Sequence, residues 1–173
     1  MNSSCRSPDL VALSKGLTGG TLPMGVTACT EAIHASFLGA DKRSAFLHGH
    51  SYTGNPIACA AALASLDLLE REDTVARFAA MSAVYAARAD ELRATPGVSG
   101  VRWLGSVLAF YLGVGGYHAP VGREVQRRAL ARGLYVRPLG SVVYLMPPAS
   151  LPLDALDGAV GALVEVAREV AGT

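Results

Sequence analysis

The stretch 8–20, PDLVALSKGLTGG, sets a short apolar run directly before a lysine and a glycine-rich turn. Residues 10–13 form the apolar run, which we interpret as a buried strand, and Gly19, Gly20 and Pro23 make the following segment a loop. Lys15 is one of only two lysines in the chain. Burial favours a neutral, nucleophilic lysine amine, although a strand-end lysine that reaches water fits the same pattern.

A second cluster, HGHSYTGNP at 48–56, places glycines and hydroxyl groups just before a predicted helix. Asn55 is a favoured N-cap and Pro56 a favoured first helical residue. Free backbone N–H groups at a helix start attract anions, and phosphate is the natural guest. An ordinary capped loop has the same spacing, and the pair His48 and His50 indicates a metal site no more strongly than a loop surface.

The third candidate is Arg137, at the end of a predicted strand over 134–137. A Pro-Leu-Gly turn follows, and Tyr144 lies on a predicted returning strand, 142–146. The planar guanidinium group of arginine suits a carboxylate. An arginine that is solvated or ion-paired is the alternative that the residues leave open.

The remaining pattern alternates helices and strands, which predicts an α/β fold. The helix predicted over 57–70 is apolar on almost every face and should be buried all round. The helix over 73–94 is amphipathic, with an apolar stripe made of Val75, Phe78, Met81, Tyr85 and Leu92. Further strands are predicted at 26–30 and as a pair within 98–112, and further helices at 31–38, 121–132 and 152–170.

Composition excludes several classes of function. The net charge of +1 gives no basic footprint for nucleic acid, and no apolar run approaches the roughly 20 residues that span a bilayer. Cys5, Cys29 and Cys59 are too few and scattered for a disulfide framework or a zinc site, and no secretory signal is visible, so we expect a cytoplasmic protein without a metal. The 51% apolar content indicates either surface meant for another subunit or missing chain, or simply many Ala and Gly residues.

The three motifs occur in the order and spacing typical of one family. The stretch 8–20, the stretch 48–62 and the segments 136–140 and 144–148 resemble the class III aminotransferases, which have the type I fold of enzymes that use pyridoxal phosphate. The resemblance covers nearly the whole chain from Pro8 onward. It implies that residues 1–75 are the C-terminal part of the large cofactor-binding domain, and that 76–173 are a complete small α/β domain.

Within the family, the motifs look most like those of the enzymes that act in biotin synthesis. These enzymes move an amino group from S-adenosylmethionine to 8-amino-7-oxononanoate. That resemblance implies a homodimer that binds pyridoxal phosphate and these small molecules. It also implies roles for single residues: Lys15 holds the cofactor and moves a proton, Ser51 and His50 bind the cofactor, and Gly49, Arg137 and Tyr144 bind substrate. Ser51 stands where the family usually has threonine, in a loop that serves the cofactor of the partner subunit.

Family members carry a long stretch before the lysine motif, which supplies an aspartate that pairs with the pyridine nitrogen of the cofactor. The 173 residues contain no counterpart of that stretch, so we expect them to be catalytically inactive alone. Two alternatives stay open: another class III enzyme, acting on a diamine or an ω-amino acid, and a non-catalytic remnant of the family.

Overall fold

The computed structural model describes residues 7–172, so Cys5 lies outside the described part. The chain divides into two compact units, Met1–Glu72 and Asp73–Thr173. Our assignment of residues 1–75 to a large domain and 76–173 to a small one stays a prediction.

The first unit is built on a two-stranded antiparallel sheet. Strand β1, Leu10–Ser14, pairs with β2, Gly25–Cys29, with Ser14 opposite Gly25. A 3-10 turn, Lys15–Thr18, follows β1 directly, as the glycine-rich sequence after the apolar run predicts. The buried Thr18 hydroxyl donates to the carbonyl oxygen of Leu22 (2.6 Å) and fixes the return of the chain towards β2.

Two α-helices and a second 3-10 turn, Lys42–Ser44, complete this unit. Helix α1, Glu31–Ala35, is three residues shorter than predicted, because the backbone N–H and the hydroxyl of Ser36 both turn back to the Ile33 carbonyl. Helix α2, Pro56–Arg71, begins as predicted: Asn55 Oδ1 accepts a hydrogen bond from the N–H of Ile57 at 3.0 Å.

Burial in the first unit differs from the prediction. Leu10 on β1 is 59% exposed, and Ile57 on α2 is 70% exposed, while only Ala58 and Ala62 of that helix are buried. The expectations of a buried strand and of a helix buried all round are therefore wrong for this chain. A two-stranded sheet and short turns are too small to cover a helix of 16 residues on every side.

The second unit packs three helices with a three-stranded antiparallel sheet. The strands lie in chain order and confirm the predicted hairpin within 98–112, and helix α5 contacts both α3 and α4. The elements are α3 Thr74–Arg93, β3 Val98–Leu104, β4 Val107–Leu112, α4 Val121–Leu130, β5 Val142–Leu145 and α5 Leu153–Ala171.

One continuous apolar core holds these elements together. Met81 and Tyr85 of α3, Phe110 of β4 and Leu163 of α5 are all fully buried within it. Val75, which we expected on the stripe of α3, is instead 80% exposed. Seven residues make almost two full helical turns, so Thr74 rather than Val75 lies on the same face as Met81.

The predicted strand over 134–137 is absent from the described structure. After α4 the chain turns at Gly133 (φ 75°), and Val136 is buried without strand pairing. Its carbonyl oxygen accepts a hydrogen bond from Gln126 Nε2 (3.1 Å), so a side chain replaces the ladder partner. The turn at Leu139 and the strand after it, β5, match the sequence expectation.

Within residues 7–172, no helix has both the length and the apolar character needed to cross a membrane. The same residues contain no cluster of three or more His, Cys, Asp or Glu side chains placed to hold a metal ion.

Candidate functional site

A cleft of about 800 Å³ opens in the first unit. Its walls come from the end of β1, the segment 22–25, the loop 50–55 and the first turn of α2. Lys15 and His50, both predicted from the sequence, line the cleft together with Ser14, Thr53 and Cys59. A volume of this size is in the range of small-molecule and cofactor sites.

Lys15 is the first residue of the 3-10 turn and has a φ of 52°, in the left-handed region. That conformation costs a residue with a side chain roughly 1 to 2 kcal/mol, and such strain is concentrated at functional sites. The residue is exposed, which agrees with a strand-end lysine that reaches water and not with a buried one. Its amine therefore lies at an open cleft and is accessible to a ligand.

The loop before α2 is closed by reciprocal hydrogen bonds between His50 and Thr53. The N–H of His50 donates to Thr53 Oγ1 (2.9 Å), and the N–H of Thr53 donates to the carbonyl oxygen of His50 (2.9 Å). The N–H of Tyr52 donates to His50 Nδ1 at 3.1 Å, which fixes the imidazole ring. These bonds give the exposed loop a defined shape beside the helix start.

Thr53 also belongs to this site, although its residue type alone did not indicate a role. It lines the cleft, and its hydroxyl holds the loop closed. The sequence does contain a pattern that indicates this role. A hydroxyl residue followed by Gly54 (φ 69°) just before a helix is typical of a tight turn that is held by a side-chain hydrogen bond.

Ser51 and Gly49 lie in the same loop but are not among the residues that line the cleft. Ser51 is exposed, and its hydroxyl makes no hydrogen bond to another described residue. A Cβ added at Gly49 would lie 3.4 Å from Thr53 Oγ1, which is close to ordinary van der Waals contact. The predicted roles of these two residues in binding cofactor and substrate stay predictions.

The other predicted residues, Arg137 and Tyr144, line one cavity of about 250 Å³ in the second unit. Leu134, Met146 and Leu151 give it apolar walls. Arg137 is exposed and forms no salt bridge with a described residue. A guanidinium group beside apolar walls is suited to a ligand with a carboxylate at one end and an aliphatic chain.

Sequence comparison agrees with this architecture. The sequence model of the class III aminotransferases matches residues 2–167, and the chain belongs to that family. The expected fold class, α/β with the type I fold of pyridoxal-phosphate-dependent transferases, is confirmed by its structural neighbours.

Its relatives include several enzymes named adenosylmethionine-8-amino-7-oxononanoate aminotransferase. The one from Synechococcus elongatus is 41% identical over 165 residues, which are 94% of this chain and 38% of the relative. The one from Nitratidesulfovibrio vulgaris is also 41% identical, over 92% of this chain and 32% of the relative. The chain thus spans about a third of the length of these relatives.

Solved structures give the same result. The crystal structure of the Methanocaldococcus jannaschii enzyme of that name has a TM-score of 0.87 and 33% identity, over 94% of this chain and 39% of the other. An amine transaminase from an uncultivated Pseudomonas species, solved in its PLP-bound form, has a TM-score of 0.77 and 31% identity, over 95% of this chain and 38% of the other.

Proposed function

We propose that this chain supplies part of an aminotransferase of biotin biosynthesis, which moves an amino group from S-adenosylmethionine to 8-amino-7-oxononanoate and yields 7,8-diaminononanoate. The observation that carries the proposal is the amine of Lys15 at an open cleft, in a family whose relatives bear that enzyme name. Cytoplasmic location is part of the same proposal.

The residues that this chain contributes to the cleft fit pyridoxal phosphate. It offers a primary amine from Lys15, the hydroxyl group of Thr53 and the start of a helix whose dipole favours an anion, while the Ser14 hydroxyl donates to the carbonyl oxygen of Met24 (3.2 Å). No carboxylate is present among the described residues that line it. The pyridine nitrogen would thus need an acidic partner from outside these residues, as the family resemblance implies.

Lys15 has two tasks in this proposal. Its Nζ atom would hold the cofactor and, once the amine of the substrate has displaced it there, the freed Nζ would move a proton from the substrate Cα. Pyridoxal phosphate, when bound, supplies the electron sink that makes this proton acidic. The exposed position and strained backbone of Lys15 are consistent with a group that must reach a ligand.

The loop 48–55 supports the proposal of a homodimer. Ser51 is exposed and bonded to no other described residue, so its hydroxyl is available to a cofactor phosphate carried by a partner subunit. Other residues of the loop, His50, Tyr52 and Thr53 among them, line the local cleft.

Arg137 is proposed to bind the carboxylate of 8-amino-7-oxononanoate, with Tyr144 lining the same cavity. The aliphatic part of that molecule suits the neighbouring walls of Leu134, Met146 and Leu151. Two parallel hydrogen bonds from one guanidinium group favour a carboxylate over a neutral group.

The test uses a completed enzyme, a chimera in which residues 7–172 replace the matching segment of the Synechococcus elongatus relative. It should form 7,8-diaminononanoate from S-adenosylmethionine and 8-amino-7-oxononanoate. Arg137→Ala should raise the KM for the oxononanoate about 10- to 100-fold, as expected for a contact of about 1.5 to 3 kcal/mol.

Arg123→Ala is the matched control, because Arg123 lies on the same unit but does not line the Arg137 cavity. Faster turnover with diamines or ω-amino acids than with the oxononanoate would favour another class III activity. An unchanged KM in a folded Arg137→Ala enzyme would contradict the proposed substrate.

A further inference from the structure

Arg77, on the second turn of α3, makes an unusual pair of contacts. Its Nε donates to the carbonyl oxygen of Ala149 (2.8 Å), and its Nη2 donates to the carbonyl oxygen of Leu151. The side chain is partly buried, and no carboxylate among the described residues pairs with it. Arg88 on the same helix, in contrast, is paired with Asp157 and Glu91.

The two carbonyls belong to the loop that follows β5. This loop contains Pro147 and Leu151, which form part of the wall of the Arg137 cavity. Within the loop, the N–H of Leu151 donates to the carbonyl oxygen of Pro148 at 3.1 Å. Arg77 therefore anchors, from a helix distant in sequence, the segment that closes one side of the cavity.

The geometry requires arginine. Two donors in one plane reach two carbonyls that are two residues apart, and a lysine ammonium has no such fixed fork. Hydrogen bonds from a charged donor are also stronger than those between neutral groups, so the loop should be held more rigidly than by packing alone.

We propose that Arg77 is a positioning residue for substrate binding: it holds the 147–151 loop so that Leu151 and Pro147 pack against the aliphatic part of a substrate whose carboxylate lies at Arg137. This inference rests on the proposed function of the Arg137 cavity. Arg77 itself does not line that cavity, and it acts through the loop.

Two measurements test the proposal. In the 173-residue chain, Arg77→Lys should make the Leu151 amide exchange with solvent about tenfold faster, because the loop opens more often. In the completed enzyme, the same variant should raise the KM for 8-amino-7-oxononanoate about tenfold and leave kcat nearly unchanged, since a binding wall is displaced and the proton-moving group is not.

Arg93→Lys is the matched control on the same helix, because Arg93 pairs with Asp90 and contacts neither carbonyl. Should Arg77→Lys fail to fold, Arg77→Gln keeps one amide donor and replaces it in both measurements. An unchanged Leu151 exchange rate overturns the anchoring. Faster exchange with an unchanged KM overturns the positioning role, and if Arg137→Ala does raise the KM, the proposed function survives that result. A KM that responds to neither Arg137→Ala nor Arg77→Lys overturns both.

Discussion

Lys15 combines an amine that lines the cleft with a backbone conformation that lysine rarely adopts. Its φ of 52° is costly for any residue that has a Cβ atom. Glycine adopts a positive φ without this cost, and Gly16 is the next residue in the chain. The left-handed position is nevertheless occupied by lysine. The strained backbone thus indicates that the lysine side chain is required at this position.

This strain predicts an order of stability for two variants. Lys15→Gly should be more stable than Lys15→Ala by about 1 kcal/mol, because glycine adopts a positive φ without the steric cost that alanine keeps. Urea unfolding measures the difference. The same pair at Lys42, which starts a 3-10 turn and has no positive φ, should show the opposite order. An alanine variant at 15 as stable as the glycine variant would contradict the assigned backbone.

The sequence identifies the chemistry of single residues better than their environment. The pattern around Lys15, Arg137 and Asn55 leads to residues that line cavities or cap a helix. The residue types left both a buried and an exposed Lys15 open, because burial depends on what else packs on the strand before it. The hydrogen bond from the N–H of His50 to Thr53 Oγ1 depends on a loop conformation that residue types alone do not specify.

At the scale of elements, helices α4 and α5 are joined by charged side chains. Glu124 pairs with Arg127 and Arg128, and Glu169 of α5 pairs with Arg128 and Arg132. Hydrogen bonds from Arg127 and then Arg128 lower the pKa of Glu124 to about 2, from an ordinary 4.5. Its folded-state pKa therefore lies well below that of the unfolded chain.

The lowered pKa predicts how stability changes in acid. The contribution of Glu124 is fully present above about pH 4.5 and is lost as the pH falls towards 2, because the unfolded chain then binds the proton more readily. Glu124→Gln should remove the fall of Tm between about pH 4.5 and pH 2. Arg127→Gln, which removes the main hydrogen-bond donor to Glu124, should make this fall of Tm smaller. If Tm fell equally steeply in acid for wild type and for Glu124→Gln, the ion pairs of Glu124 would not stabilise the fold.

Element positions were predictable where local rules decide them. The cap of α2 and the helical spacing of α5, with Leu156, Val160 and Leu163 buried, follow from the sequence. The strand expected at 134–137 does not form, because a strand needs a neighbour and Gln126 takes the carbonyl of Val136 instead. A pattern of alternating residues does not show whether a pairing partner is available.

At the scale of the whole molecule, the two units differ in how well they bury apolar groups. The second unit holds the apolar core, whereas the first leaves Leu10, Phe46, Ile57 and Leu63 exposed. The high apolar content of the chain therefore does not come only from Ala and Gly. Part of it consists of large side chains that are exposed. Such surface favours contact with further protein.

This difference predicts the outcome of limited proteolysis. Trypsin should cut the first unit rapidly at Lys42, Arg43 and Arg71, and leave a resistant fragment that begins near Asp73, since its arginines lie mainly in packed helices. Mass spectrometry of a time course identifies the fragment. The experiment needs no cofactor, and equal digestion of both units would contradict the contrast in packing.

In the proposed function, Lys15 holds the cofactor. The completed enzyme should be incubated with pyridoxal phosphate, reduced with borohydride and digested, and the modified peptide should be located by mass spectrometry. The result we expect is a label on Lys15, in the peptide that contains LSKGLTGG, and its loss in Lys15→Ala. A label on Lys42, or on a lysine outside residues 7–172, would contradict this role of Lys15.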